Sequence, residues 1–163
     1  MRYLLLLIFI MPVWATAQDC ALKKGQDAMT SKPTLTTGFI DLQGNTLSID
    51  ISSKEIDFFF VLNSAAVKCL DEETELTVVY EGGKLKQQFK NYGSMNCDGI
   101  FHLIFKNSAY TNSQLQRMTA KKIVSIQFTS GTQKPFIISL LPDQQLSMQN
   151  TIACVIKEAK TVL

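Results

Sequence analysis

Between residues 34 and 140 the apolar positions come in short runs suited to strands, and after Pro142 they change to the period of a helix. The segments TLTTGFIDL (34–42) and TLSIDI (46–51) flank Gln43-Gly44-Asn45, whose glycine and asparagine suit the positive φ of a hairpin turn. Leu47, Ile49 and Ile51 alternate with Ser48 and Asp50, so one face of this strand is expected to be buried and the other wet. EIDFFFVL (55–62) is apolar on both faces after Asp57, the mark of a central strand. VKCL (67–70), ELTVVY (75–80), KLKQQFK (84–90), GIFHLIF (99–105), KIVSIQF (122–128) and PFIISL (135–140) follow, with turns at Glu81-Gly82-Gly83 and Ser130-Gly131-Thr132. The spacing predicts about eight or nine short strands in an antiparallel open sheet or partial barrel. NSAYTNSQLQRM (107–118) breaks the rhythm and predicts a short helix.

At the end of the chain Met148, Ile152, Val155, Ile156, Ala159 and Val162 recur at helical spacing. At about 100° per residue they fall within a sector of about 120°, and Pro142 suits the first turn. The fold class is therefore α+β, mainly antiparallel sheet, with one amphipathic C-terminal helix packed on it.

The start of the chain has a different character. MRYLLLLIFIMPVWATAQDC carries one basic residue, an apolar run from Tyr3 to Trp14, and an Ala15-Thr16-Ala17 site. This is the layout of a secretory signal peptide cleaved after Ala17; the run is too short for a membrane span, which needs about 20 apolar residues. Gln18 and Asp19 before Cys20 argue against a lipid-bearing cysteine. The expected organisation is a signal peptide over 1–17, a polar arm over 18–33 with a short helical turn, and one β-rich domain over 34–163. Without residues 1–17 the 163-residue chain retains 146, enough for one core. Loss of Arg2 reduces the formal charge from +2 to +1, which gives no long-range field for nucleic acid or an anionic membrane. The expected location is the periplasm or the exterior.

Cys20, Cys69, Cys97 and Cys154 all follow the cleavage site, and an even number of cysteines in an exported chain reads as two disulfides. They form no C-x-x-C pair, and with a single histidine they do not resemble a zinc set; no cofactor or metal is expected. Cys154 lies about 140° from the centre of the helix's apolar stripe, where it has little core to fill. It is well placed to fasten the arm, so of the three connectivities four cysteines allow, the favoured one joins Cys20 to Cys154 and Cys69 to Cys97.

Candidate chemistry is sparse. GSMNCDGIFHLIF (93–105) puts Cys97 near His102, but residues five apart on a strand point to opposite faces about 16 Å apart, too far for a thiolate–imidazole pair. His102 is expected to be a buried strand residue with one hydrogen-bond partner. Lys84, Lys86 and Lys90 share one strand face with Gln88 and could meet an anionic partner, although such rows also serve to protect sheet edges. Asp71-Glu72-Glu73-Thr74-Glu75 lacks the alternation of a calcium loop. No G-x-S-x-G, H-E-x-x-H, phosphate-loop or dinucleotide motif occurs. The expectation is an exported, non-catalytic binding or interaction module for an unspecified protein or small ligand, presenting the 75–90 hairpin. One alternative is a small-molecule or lipid carrier with a cavity between sheet and helix. The other is a small hydrolase-like enzyme using His102 or a carboxylate pair.

Overall fold

The computed structural model describes residues 20–62, 69–131 and 134–163. Among the described residues, ten strands form two antiparallel sheets with two helices. The first sheet holds β1 (Lys23–Gln26), β2 (Pro33–Thr36), β4 (Asn45–Ile51), β5 (Glu55–Val61) and β8 (Ile100–Lys106) in that spatial order, with β3 (Ile40–Leu42) continuing beside β4. The second runs β10 (Phe136–Ser139), β9 (Ile123–Thr129), β6 (Glu75–Tyr80), β7 (Lys86–Lys90). The mainly antiparallel architecture with a C-terminal helix is the one expected from the sequence.

Local chemistry sets the connections. Gln43 (φ 58°) and Gly44 (φ 81°) make the two-residue turn that pairs Leu42 with Asn45. The expected continuous strand over 34–42 is instead two: Gly38 takes φ 67°, which interrupts the pairing with β4 between Thr36 and Ile40. The stretch read as an arm also departs from expectation, because β1 pairs along its whole length with β2 and so belongs to the sheet. Its polar sequence concealed this, since an edge strand exposed at all four residues needs no apolar alternation. VKCL is not a strand where described: Leu70 makes an isolated bridge with Asn96, and Val67 and Lys68 lie outside the described residues.

The core lies between the sheets. Leu47, Ile49 and Ile51 of β4 and Phe58 and Phe60 of β5 are sealed from solvent on one side, Leu76, Val78 and Phe128 on the other. The rings of Phe60 and Phe101 meet that of Phe128 edge-on, with centroids 5.4 and 5.2 Å apart, a geometry favoured by the ring quadrupoles. Tyr80, fully buried, donates its hydroxyl hydrogen bond to Gln87 Oε1, and burial pushes its pKa up to about 12.

Helix α1 (Ser113–Ala120) begins at Asn112, whose Oδ1 accepts the Gln114 N–H at 2.8 Å. Helix α2 (Pro142–Glu158) starts with Pro142 at its first position and ends in a 3-10 turn, Ala159–Val162. Of the expected stripe, Met148, Ile152, Val155, Ala159 and Val162 are buried and Ile156 packs against them. Gln149 Nε2 donates to Thr119 O at 2.6 Å and Gln144 Nε2 to Asp41 O, tying α2 to α1 on one side and to β3 on the other. No helix among the described residues is long and apolar enough to cross a membrane.

Candidate functional site

The two disulfides join Cys20 to Cys154 and Cys69 to Cys97, the connectivity favoured above, and no described cysteine is free. Together they suggest an oxidising, extracellular or periplasmic environment. Cys154 sits on the outer side of α2, away from Ile152 and Val155, and through it the segment Cys20–Leu22 is laid along the back of the helix. That strap creates a feature absent from the sequence reading: a groove of about 710 Å³ between α2, the strap and the loop before β3. Leu22 and Ile40 line its far wall; Leu146, Asn150 and Ala153 line its helical floor. Asp143 stands at one end and Lys157 at the other, both exposed, and Leu146 is also exposed, at 51%. The signal for the groove was half visible: the outer stripe of α2 is mostly polar, with the small residues Ser147 and Ala153 on it, while the strap that walls it comes from the other end of the chain.

The lysines are arranged as an edge. Lys84 precedes β7, and Lys86 and Lys90 are exposed on that strand, which with β10 is one of the two edges of the second sheet among the described residues. Lys90 is not a free cation, for its Nζ lies 2.9 Å from Glu73 Oε2 and Glu75 is its register partner across the hairpin. The hydrogen bond and charge of Glu73 hold the Lys90 pKa above its ordinary value.

His102 is placed otherwise than expected: its side chain is 30% exposed on the outer face of the first sheet. Its Nδ1 meets Asp57 Oδ2 at 2.7 Å, reaching diagonally across the strand pair, since the register partner of His102 is Phe59. The Phe59 ring lies 5.0 Å from the imidazole. Burial is the main influence on Asp57 and raises its pKa, against the hydrogen bond and charge of His102, which lower it; Asp50 and Glu55 add to the rise. Asp57 Oδ1 is buried with no hydrogen-bond partner among the described residues. The backbone around the imidazole is fixed by Asn91, whose Oδ1 accepts both His102 N–H and Gly93 N–H at 3.0 Å. A side chain at Gly93 would crowd the ring, which would have to give by a few tenths of an ångström, the built Cβ standing 3.0 Å from His102 Cδ2. Sequence reading missed Asp57 as the partner, although it is the one acid interrupting the apolar run of β5.

Cys97 and His102 do not form a reactive pair, because Cys97 is bonded to Cys69. Among the described residues no group of three or more His, Cys, Asp or Glu side chains is placed to hold a metal ion. Comparison with family models, with curated proteins and with solved structures finds no match to this chain.

Proposed function

We propose that this protein is an exported, non-catalytic interaction module that engages a helical protein segment through the groove behind α2. Residues 1–17 are its signal peptide, cleaved after Ala17, so the processed chain starts two residues before the cysteine that walls the groove. One observation carries the reading: the groove of about 710 Å³ on the outside of the helix. It runs from Asp143 to Lys157, fourteen residues or about 21 Å of helix, and the small side chains Ser147 and Ala153 leave room for a second helix beside Leu146 and Asn150. The carrier alternative fits less well, because Met148, Ile152 and Val155 fill the space under the helix where its cavity would lie.

The test is site-specific photo-crosslinking of the processed protein in its native compartment, with the reactive group at Asn150 in the groove or at Gln88 on the 75–90 hairpin. Crosslinks to a protein partner, this chain included, at Asn150 and not at Gln88 support the reading. Crosslinks at Gln88 alone would move the interaction to the hairpin, and none at either position would overturn it.

The Asp57–His102 contact favours a second reading, a hydrolase-like enzyme in which Asp57 orients the imidazole as a proton acceptor. It predicts turnover of simple activated esters that is lost in His102→Gln and reduced in Asp57→Asn. Equal turnover by the native protein and both variants would sink it.

A further inference from the structure

The floor of the groove is self-complementary. Asn150 is exposed at its midpoint, and the residues on either side pair off at equal distances from it: Asp143 and Lys157 at seven, Leu146 and Cys154 at four, Ser147 and Ala153 at three. At about 100° per residue, Asp143, Asn150 and Lys157 fall within about 40° of one another, so they form a straight line along the helix. If a second α2 is laid antiparallel on the first about a two-fold axis through Asn150, Asp143 meets Lys157 near the seam, while on its two flanks Leu146 meets Ala153 and Ser147 meets Cys154. Such an axis demands a surface in which residue i meets j and j meets i.

From this complementarity we infer that the groove's occupant is a second copy of this chain, paired α2 to α2 and antiparallel; the inference rests on the groove being the interaction surface proposed above. Asp143 of each copy meets Lys157 of the other, so opposite charges close both ends. The Lys157 ammonium has a neighbour in its own chain at 3.9 Å, Glu158 Oε1, too long for a hydrogen bond. Leu146, half exposed in one copy, packs on Ala153 of the other. Ser147 faces Cys154, and the small side chains of Ser147 and Ala153 let the helices approach. The two Asn150 amides meet on the axis, where each can donate to the other's carbonyl oxygen. A parallel arrangement would bring Asp143 to Asp143 and Lys157 to Lys157, and the repulsion of like charges at both ends disfavours it.

The experiment measures self-association of the purified, disulfide-intact mature chain by sedimentation across micromolar to millimolar concentration. The expected result is a reversible dimer. Asn150→Arg puts two like charges on the axis at an exposed helical site, so it should abolish the dimer while leaving the thermal melt of the monomer unchanged. Asp143→Lys or Lys157→Asp alone should raise the dissociation constant about tenfold or more, because each removes two contacts and creates two repulsions. The double variant Asp143→Lys with Lys157→Asp should recover the native value. As a readout independent of affinity, Asn150→Cys should form a disulfide-linked dimer under air. A chain that stays monomeric at millimolar concentration overturns the inference, as does a dimer indifferent to Asn150→Arg or not rescued by the double exchange. Crosslinks from Asn150 to a different protein, with the purified chain monomeric, would refute self-pairing and leave the proposed use of the groove standing.

Discussion

The two sides of α2 are built on different physics. The inner side, Met148, Ile152, Val155 and the adjoining Ala159, is apolar and sealed, and contributes through burial. The outer side is polar apart from Leu146 and Ala153, and owes its shape to a covalent strap from the far end of the chain. Burial acts wherever the helical period puts apolar side chains, whereas the strap acts at one bond. The first can be removed in increments and the second only whole.

Breaking the strap is therefore expected to produce the largest effect. The Cys20–Cys154 bridge spans 134 residues and Cys69–Cys97 spans 28, for which loop closure gives about 5 and about 3.5 kcal/mol. Replacing both Cys20 and Cys154 with serine should lower denaturant stability by more than the same change at Cys69 and Cys97. Hydrogen exchange should then quicken in β1 while β4 and β5 keep their protection. If the shorter bridge proves the more stabilising, the outer side of α2 is not held in the way argued.

On the inner side, Ile152→Ala should cost about 2 to 5 kcal/mol, since the residue is fully buried and its loss leaves a cavity. Asn150→Ala, two residues away on the outer side, should stay within about 0.5 kcal/mol in monomer stability. Urea denaturation of the two variants checks the contrast directly. Similar losses would mean that the outer face is packed and the groove is not open.

The same contrast explains what could be read from the sequence. The inner stripe of α2, the alternation in β4 and the apolar run of β5 follow from periods of 3.6 and 2, which a one-dimensional pattern carries in full. The favoured cysteine pairing was accessible too, because Cys154 falls on the wrong side of the helix to be core. β1 could not be read, because an exposed edge strand of Lys23, Lys24, Gly25 and Gln26 leaves no apolar trace. The break at Gly38 depended on one backbone angle, and the Asp57–His102 contact on a register that places residues 45 positions apart on neighbouring strands. The groove needed both ends of the chain in place, which no local pattern records.

Asp57 carries the comparison onto a strand, since it is a carboxyl on an outer face that nevertheless pays for burial. Its raised pKa means that the folded protein holds this proton more tightly than the unfolded chain does. Stability from that source is fully present below the ordinary value of 3.8 and is lost as pH rises through the elevated folded value. Asp57→Asn removes the dependence and keeps a group able to donate to His102 Nδ1. Its stability at neutral pH should lie within about 1 kcal/mol of the native protein, on the side of a gain. Urea midpoints from pH 3 to 7 should fall more steeply with rising pH in the native chain than in the variant. Parallel curves would show that the carboxylate is not strained by its site.

The smallest effect is expected at Lys90. Its ion pair with Glu73 joins side chains that are 60% and 79% exposed, where water and salt screen the attraction and two long side chains must be held in one geometry. Lys90→Ala should leave the melting temperature unchanged, and Lys157→Ala on the outer side of α2 should do the same. The two lysines part company only in self-association: Lys157 is opposed by Asp143 of a second copy, whereas Lys90 has already spent its charge on Glu73 and Glu75 within its own hairpin. Sedimentation of both variants at equal salt should therefore show weakened pairing for Lys157→Ala alone. A weaker dimer from Lys90→Ala, with Lys157→Ala silent, would transfer the interface from the helix to the hairpin.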